Sequence, residues 1–269
     1  GIRQNAKAFA AIYPAAVSLP PINRFFLSDE YRSDETIVDK LANADRSRDN
    51  VGIIHSDNEK GTRGGFSVYV PEYYDETQAY PLIMALHGGS GHGRDFLWTW
   101  LREARSRGAI LITPTSTENT WSLMAPEKDS LQLDKLLEFA SQKWNVDPQY
   151  LLLTGMSDGG TFTYVSGLSE FSPFTHLAPI SASFHPLMLE IMETARCKDL
   201  PIYLVHGAMD WMFPVQVARD AEQALRRAGA NVYYHEIEDL SHTYPNDENG
   251  RILDWLLNRM IEGGPLANR

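Results

Sequence analysis

From Val51 onwards, short continuous apolar runs alternate with longer stretches in which apolar residues recur every three or four positions. Short runs are typical of buried strands and the longer spacing of amphipathic helices. The predicted strands are VGIIHSD, GGFSVYVPE, YPLIMALHGG, AILITPT, YLLLTG, THLAPISAS, PIYLVHG and NVYYHEIED, and the predicted helices are RDFLWTWLREARSRG, SLQLDKLLEFASQKW, GGTFTYVSGLS, PVQVARDAEQALRRAG and DENGRILDWLLNRM. This alternation predicts an α/β fold with a mostly parallel sheet covered by helices on both faces. The first two strands, joined by a polar loop, predict an antiparallel start.

Residues 1–50 carry a weaker pattern. SLPPINRFF is interpreted as an irregular segment marked by prolines, and SDETIVDKLANADRSRDN predicts a short polar helix with Ser33 as its N-cap. We therefore divide the chain into an N-terminal arm, residues 1–50, packed on a core domain, residues 51–269. A linker from an upstream unit is the alternative for the arm.

The segment LLLTGMSDGGTF, residues 151–162, places Ser157 between Gly155 and Gly159 where a predicted strand passes into a helix. A serine on such a sharp turn is held in a strained conformation, and flanking glycines remove the Cβ atoms that would collide. The unpaired N–H groups at the start of the helix favour a developing anion. The pattern predicts a nucleophilic serine, with a helix-capping serine as the alternative.

A serine nucleophile needs a base, and the base needs an acid that orients it. YLVHGAMDWMFP places Asp210 shortly after a strand, and EIEDLSHTYP places His242 after the last strand. Both positions lie at the carboxyl edge of a parallel sheet, beside Ser157, and the order Ser, Asp, His fits this architecture. Asp239 is a competing acid, but it is too near His242 in sequence to approach from another strand end.

The glycine-rich segment LHGGSGHG, residues 86–93, supplies candidate donors for an oxyanion. We expect backbone N–H groups from Gly89 or Ser90, together with the N–H of Asp158, and we expect His87 to hold the loop in place. A phosphate-binding loop is the alternative, but the glycine spacing fits neither common phosphate motif.

Together, LHGGSG, TGMSDGG, HGAMDWMFP and SHTYP resemble the α/β-hydrolases. More closely, they are similar to the esterase branch that includes polyhydroxybutyrate-depolymerase-like and feruloyl-esterase-like enzymes and the phospholipase/carboxylesterase group. The resemblance covers about residues 51–262. It implies an α/β-hydrolase fold and a serine esterase with Ser157 as nucleophile, Asp210 as acid and His242 as base. A thioesterase or peptidase of this fold, or a non-catalytic binding module that kept the fold, are the alternatives.

Aromatic residues are dense near the predicted carboxyl edge. We expect Trp211, Trp121 and Phe213 to line the substrate pocket, with soft apolar surface from Met124 and Met212. The segment FHPLMLEIMETARCKDL, between two predicted strands, has room for one ordinary helix. No large cap domain is therefore expected, and an open site suits soluble esters or the end of a bulky chain. We expect short-chain or aryl esters.

Composition narrows the partners. The chain has 269 residues and a net charge of −11, which argues against nucleic acid and anionic membrane surfaces. One cysteine, Cys197, excludes an internal disulfide, and no metal-binding motif is present. We expect a small-molecule ester substrate, no cofactor and no metal, with a homo-oligomer possible. The start lacks a signal-peptide pattern, so we expect a soluble protein that is cytoplasmic or exported after signal removal.

Overall fold

The structure is a computed structural model that describes residues 2–17, 19–186, 188–189 and 194–258. Its centre is an eight-stranded sheet with strand order β1-β2-β4-β3-β5-β6-β7-β8. The strands are β1 Gly52–Ser56, β2 Phe66–Val70, β3 Tyr80–Leu86, β4 Ile110–Pro114, β5 Val146–Met156, β6 His176–Ile180, β7 Pro201–Gly207 and β8 Asn231–Ile237.

Strands β3 to β8 pair in parallel, whereas β2 runs antiparallel to both of its neighbours, β1 and β4. The predicted antiparallel start and the mostly parallel sheet are confirmed. Strands β3 and β5 lie side by side at the centre, with Leu86 opposite Gly155 at their carboxyl ends. The glycine-rich loop after β3 and the serine turn after β5 are therefore neighbours.

Helices cover the sheet on both faces, and each face buries its own apolar core. They are α1 Ile2–Ile12, α2 Pro20–Phe25, α3 Glu35–Ala42, α4 Gly93–Arg107, α5 Glu127–Lys143, α6 Asp158–Gly167, the short α7 Thr194–Cys197, α8 Val215–Arg227 and α9 Glu248–Leu256. Alternating short apolar runs and helical spacing thus fold as the sequence pattern predicts.

The first 50 residues are more helical than predicted. Within the predicted irregular segment, Pro20–Phe25 forms α2, because the proline stands at the opening turn of the helix, where no amide hydrogen is required. The predicted cap Ser33 is wrong by one position. The Asp34 side chain caps α3 instead, accepting a hydrogen bond from the Thr36 amide at 2.9 Å.

The arm is bound to the core through aromatic and ionic contacts. Phe9 of α1 packs edge-on against Phe25 and Phe26 and lies at 6.3 Å from the ring of Trp98 on α4. These contacts bury apolar surface between the arm and the sheet domain, which stabilises both. The boundary at residue 50 remains a prediction.

A buried ion pair of the core domain also binds the arm through hydrogen bonds. Arg105, fully buried, lies 3.0 Å from the Glu72 carboxylate and donates hydrogen bonds to Asn23 on the arm. Tyr13 of the arm donates to the same carboxylate at 2.9 Å, and Tyr69 does so at 2.7 Å. Burial opposes ionisation of Glu72, but Arg105 and the two hydroxyls hold the pKa of its carboxyl below the usual value.

The connection between β6 and β7 consists of residues 181–200. It includes α7, and residues 187 and 190–193 lie outside the described part of the chain. This length agrees with the prediction that no large cap domain is inserted here.

Candidate active site

Ser157 occupies a strained turn between β5 and α6. Its backbone φ is 56° and ψ is −121°, a conformation that non-glycine residues rarely adopt and that costs about 1–3 kcal/mol. The flanking glycines allow the turn to form. A Cβ atom on Gly155 would lie 2.5 Å from the backbone of Gly159, and one on Gly159 would lie 2.5 Å from the carbonyl oxygens of Leu86 and His87.

Three predicted residues meet at this turn. Nε2 of His242 lies 3.0 Å from Oγ of Ser157, and Nδ1 of His242 lies 2.7 Å from Oδ2 of Asp210. His242 and Asp210 come from the loops after β8 and β7, at the same sheet edge as Ser157. If Nδ1 donates to the carboxylate, Nε2 is unprotonated and positioned to accept the serine proton.

The second oxygen of Asp210 is bound by its own loop. Oδ1 accepts hydrogen bonds from the amides of Met212 at 2.9 Å and Phe213 at 2.8 Å. Burial opposes ionisation, but these amides and His242 hold the pKa of the Asp210 carboxyl below the usual value. His206, fully buried, makes a 2.9 Å contact from Nε2 to the carbonyl oxygen of Phe213 and so fixes the same loop.

His87 holds the glycine-rich loop in place. Its Nε2 accepts a hydrogen bond from the Ser116 amide at 3.1 Å, so its Nδ1 carries the proton and donates to the Gly88 carbonyl at 2.7 Å. Burial lowers the pKa of His87 to about 4, which keeps the ring neutral.

The candidate oxyanion donors differ in their availability. The amide of Ser90 donates to the Asn119 carbonyl at 2.8 Å, so the expectation that Ser90 is a donor is corrected. Gly88 and Gly89 adjoin the nucleophile turn: a Cβ on Gly88 would lie 3.6 Å from Cβ of Ser157, and one on Gly89 would lie 2.6 Å from Oδ2 of Asp158. Gly89 and Asp158 remain the candidate pair.

The predicted pocket aromatics separate into two groups. Trp121 is 2% exposed, stacks on Phe162 and donates from Nε1 to the His87 carbonyl at 2.7 Å, so it supports the loop from below and the expectation of a pocket role is corrected. Trp211, 73% exposed, and Phe213 both lie edge-on to the His242 ring, at 6.2 and 5.3 Å. Their contact with substrate remains a prediction.

Two hollows flank the turn, and the arm lines both of them. The loop-side hollow, about 550 Å³, is bordered by Gly88, Gly89 and Phe96 together with Ile2 and Gln4 of α1. Sequence reasoning missed this role of α1, because it depends on how the arm packs across the domain.

The histidine-side hollow, about 400 Å³, is bordered by His242 and Thr243 together with Asn5 and Phe9 of α1. Ile2 and Met156, the residue before the serine, border both hollows.

Within the described ranges, no group of three or more histidine, cysteine, aspartate or glutamate side chains is arranged to hold a metal ion. Cys197 is buried, and burial raises the pKa of its thiol.

Comparison with known proteins supports the fold and the resemblance to esterases. The profile of the phospholipase/carboxylesterase family matches residues 126–258, which include all three residues of the hydrogen-bonded chain. A solved thermostable esterase superposes with a TM-score of 0.61 at 22% identity, over 78% of this chain and 63% of that protein. This chain has the α/β-hydrolase fold. The predicted fold class and the resemblance drawn from the four motifs are confirmed.

Two esterase sequences are similar to this chain. A bifunctional acetylxylan esterase/xylanase of Neocallimastix patriciarum is 25% identical over 195 residues, 71% of this chain and 27% of that protein. A probable feruloyl esterase C of Aspergillus terreus is 26% identical over 154 residues, 54% of each. The chain therefore spans about a quarter of the first relative and about half of the second.

Proposed function

We propose that this α/β-hydrolase is a serine esterase that cleaves carboxylic esters through an acyl-enzyme intermediate. The observation that carries the proposal is the continuous chain of hydrogen bonds from Ser157 through His242 to Asp210 on a strained turn beside a glycine-rich loop. This arrangement raises the nucleophilicity of a serine hydroxyl, which is otherwise a weak nucleophile at neutral pH.

In the first half of the reaction, Oγ of Ser157 attacks the ester carbonyl carbon while Nε2 of His242 takes the hydroxyl proton. The negative charge that develops on the carbonyl oxygen is stabilised by the backbone N–H groups of Gly89 and Asp158. The bond to the alcohol oxygen then breaks, and the alcohol leaves with the proton from His242. Asp210, held ionised by its loop amides, stabilises the charged imidazole between these steps.

In the second half, the same groups act on water. His242 takes a proton from a water molecule, whose oxygen attacks the acyl carbonyl and forms a second oxyanion at the same amides. Ser157 leaves as the alkoxide and recovers its proton from His242, and the carboxylic acid is released. One acid and one alcohol are formed per ester and water consumed.

Short-chain or aryl esters are the proposed substrate class. The names of the two sequence relatives, an acetylxylan esterase and a feruloyl esterase, describe a short acyl and an aryl acyl group respectively. Exposed apolar side chains near His242, among them Trp211 and Met212, offer surface for such groups. A thioesterase or peptidase of this fold would use the same residues, and comparison of matched ester, thioester and amide substrates separates these activities.

Fluorophosphonate labelling tests the nucleophile. We expect covalent labelling of the wild type at Ser157, and its loss in Ser157→Ala, because only an activated serine attacks the phosphorus. Ser169→Ala, which alters an exposed serine just beyond the same helix, is the matched control and retains the label. An unlabelled wild type would favour the non-catalytic binding module.

A further inference from the structure

The position of α1 divides the space around Ser157. Its first residues border both hollows, but Gln4 lines the loop-side hollow and Asn5 lines the histidine-side hollow. Neighbouring residues of the helix therefore line different hollows, and Ile2 and Met156 line both.

Contacts with the glycine-rich loop and with α4 hold α1 in place at the edge of both hollows. Nη2 of Arg3 donates to the carbonyl oxygen of Ser90 at 2.6 Å, which ties α1 to the glycine-rich loop. One turn further on, Ala6 is 1% exposed and lies in the core cluster that includes Trp98 and Leu101 of α4. Phe9 also packs against the rings of Phe25, Phe26 and Trp98. These contacts fix the position of α1 beside the two hollows.

The chemistry of the reaction distinguishes the two sides. The leaving alcohol takes its proton from Nε2 of His242, so the alcohol group must lie on the side that His242 borders. The carbonyl oxygen lies at the amides of Gly89 and Asp158. The direction that remains for the acyl group leads past the glycine-rich loop, into the hollow bordered by Gly88 and Phe96.

We propose that α1 is a specificity element that separates the two halves of the ester, with Gln4 beside the acyl group and Asn5 beside the alcohol. This inference rests on the proposed esterase function. Ile2, Phe96 and Met156 give the loop-side hollow an apolar floor, and its volume of about 550 Å³ is within the usual range for small-ligand pockets. The acyl group it fits is an apolar alkyl or aryl group of moderate length.

Two matched substitutions test this division. Gln4→Trp adds an indole at the loop-side hollow and Asn5→Trp adds one at the histidine-side hollow, where Asn5 also borders a neighbouring hollow with Arg102 and Glu103. Both positions are exposed on the same helix. Lys7→Trp is the control, because Lys7 is also exposed but borders a different hollow, with Glu59 and Lys60. Thermal unfolding of all three variants checks that the helix is retained.

Each variant is assayed with two substrate series. In the first, p-nitrophenyl esters run from acetate to octanoate and vary the acyl group. In the second, methyl, butyl and benzyl acetate vary the alcohol and are followed by pH-stat titration. For Gln4→Trp we expect kcat/KM to fall by about tenfold or more for octanoate relative to acetate, with the alcohol series unchanged. For Asn5→Trp we expect a similar fall in kcat/KM for benzyl acetate relative to methyl acetate, with the acyl series unchanged.

The outcomes distinguish this inference from the function on which it rests. If both variants keep the wild-type ratios, or if both alter the same series, the division by α1 is overturned while the esterase proposal stands. If the wild type hydrolyses no ester and Ser157 takes no fluorophosphonate, the proposed function fails and this inference falls with it. A change in the octanoate-to-acetate or benzyl-to-methyl acetate ratio of kcat/KM for Lys7→Trp would also contradict the roles assigned to Gln4 and Asn5.

Discussion

Oδ2 of Asp210 and Nδ1 of His242 lie 2.7 Å apart although the residues are separated by the whole of α8 and β8. The other carboxylate oxygen is fixed by the amides of Met212 and Phe213. The imidazole is thus oriented by a group that is itself immobilised.

Asp210→Asn removes this orientation, because an amide can donate to Nδ1 and so place the proton on Nε2. We expect kcat for p-nitrophenyl acetate to fall by about 10³–10⁴-fold with little change in thermal stability. Asp239→Asn, at an exposed position after β8, is the control and retains wild-type kcat. Equal losses in the two variants would contradict the assignment of the acid.

Gly159→Ala tests the packing of the nucleophile turn. The added Cβ would lie 2.5 Å from the carbonyl oxygens of Leu86 and His87, and relieving this clash requires a shift of the backbone. We expect loss of activity and a decrease in the free energy of unfolding of about 1–3 kcal/mol, measured by urea denaturation. Gly61→Ala is the contrast, because Gly61 has a positive φ of 89° with nothing within 4 Å of the added Cβ. It should retain activity, and loss of activity there would show that the assay reports general destabilisation.

Arg105→Met tests the buried link between the arm and the domain. It leaves the Glu72 carboxylate buried without its cation, and we expect a decrease of about 3–5 kcal/mol in the free energy of unfolding. Arg219→Met breaks the partly exposed pair with Glu236 and should cost about 1 kcal/mol or less. Similar costs for the two substitutions would show that the arm contact contributes little to stability.

Three histidines predict how stability depends on pH. Burial lowers the pKa of His55, His87 and His176 from 6.5 to about 4 in the folded protein. Between these values the unfolded chain binds protons that the folded chain does not, so the free energy of unfolding falls as the pH decreases from 6.5 towards 4.

Urea denaturation at several pH values measures this slope. Glu103, whose pKa is raised by burial, opposes the trend, so the comparison uses His176→Phe. We expect its slope between pH 6.5 and 4 to be smaller than the wild-type slope by up to about one proton. Parallel slopes would contradict a lowered pKa for the half-buried His176.

The sequence predicts the sheet and the position of the hydrogen-bonded chain because both depend on local signals. The apolar runs mark the strands, and Ser157, Asp210 and His242 follow their strands at the same sheet edge. Trp121 and Ser90 could not be assigned in this way. Each makes a hydrogen bond to a residue distant in the chain, Trp121 to His87 and Ser90 to Asn119, and no sequence pattern marks these contacts.

The arm shows the same limit. Its prolines predict irregular structure, but one of them opens α2. The contribution of α1 to the two hollows depends on its packing against α4. Composition and spacing give no measure of such tertiary contacts.

The central claim is that Ser157 is the nucleophile of an ester hydrolase. Steady-state hydrolysis of p-nitrophenyl esters from acetate to palmitate, compared between the wild type and Ser157→Ala, tests it most directly. We predict turnover of the short-chain esters by the wild type and a loss of at least about 10³-fold in the variant. Equal rates in the two proteins would contradict the account.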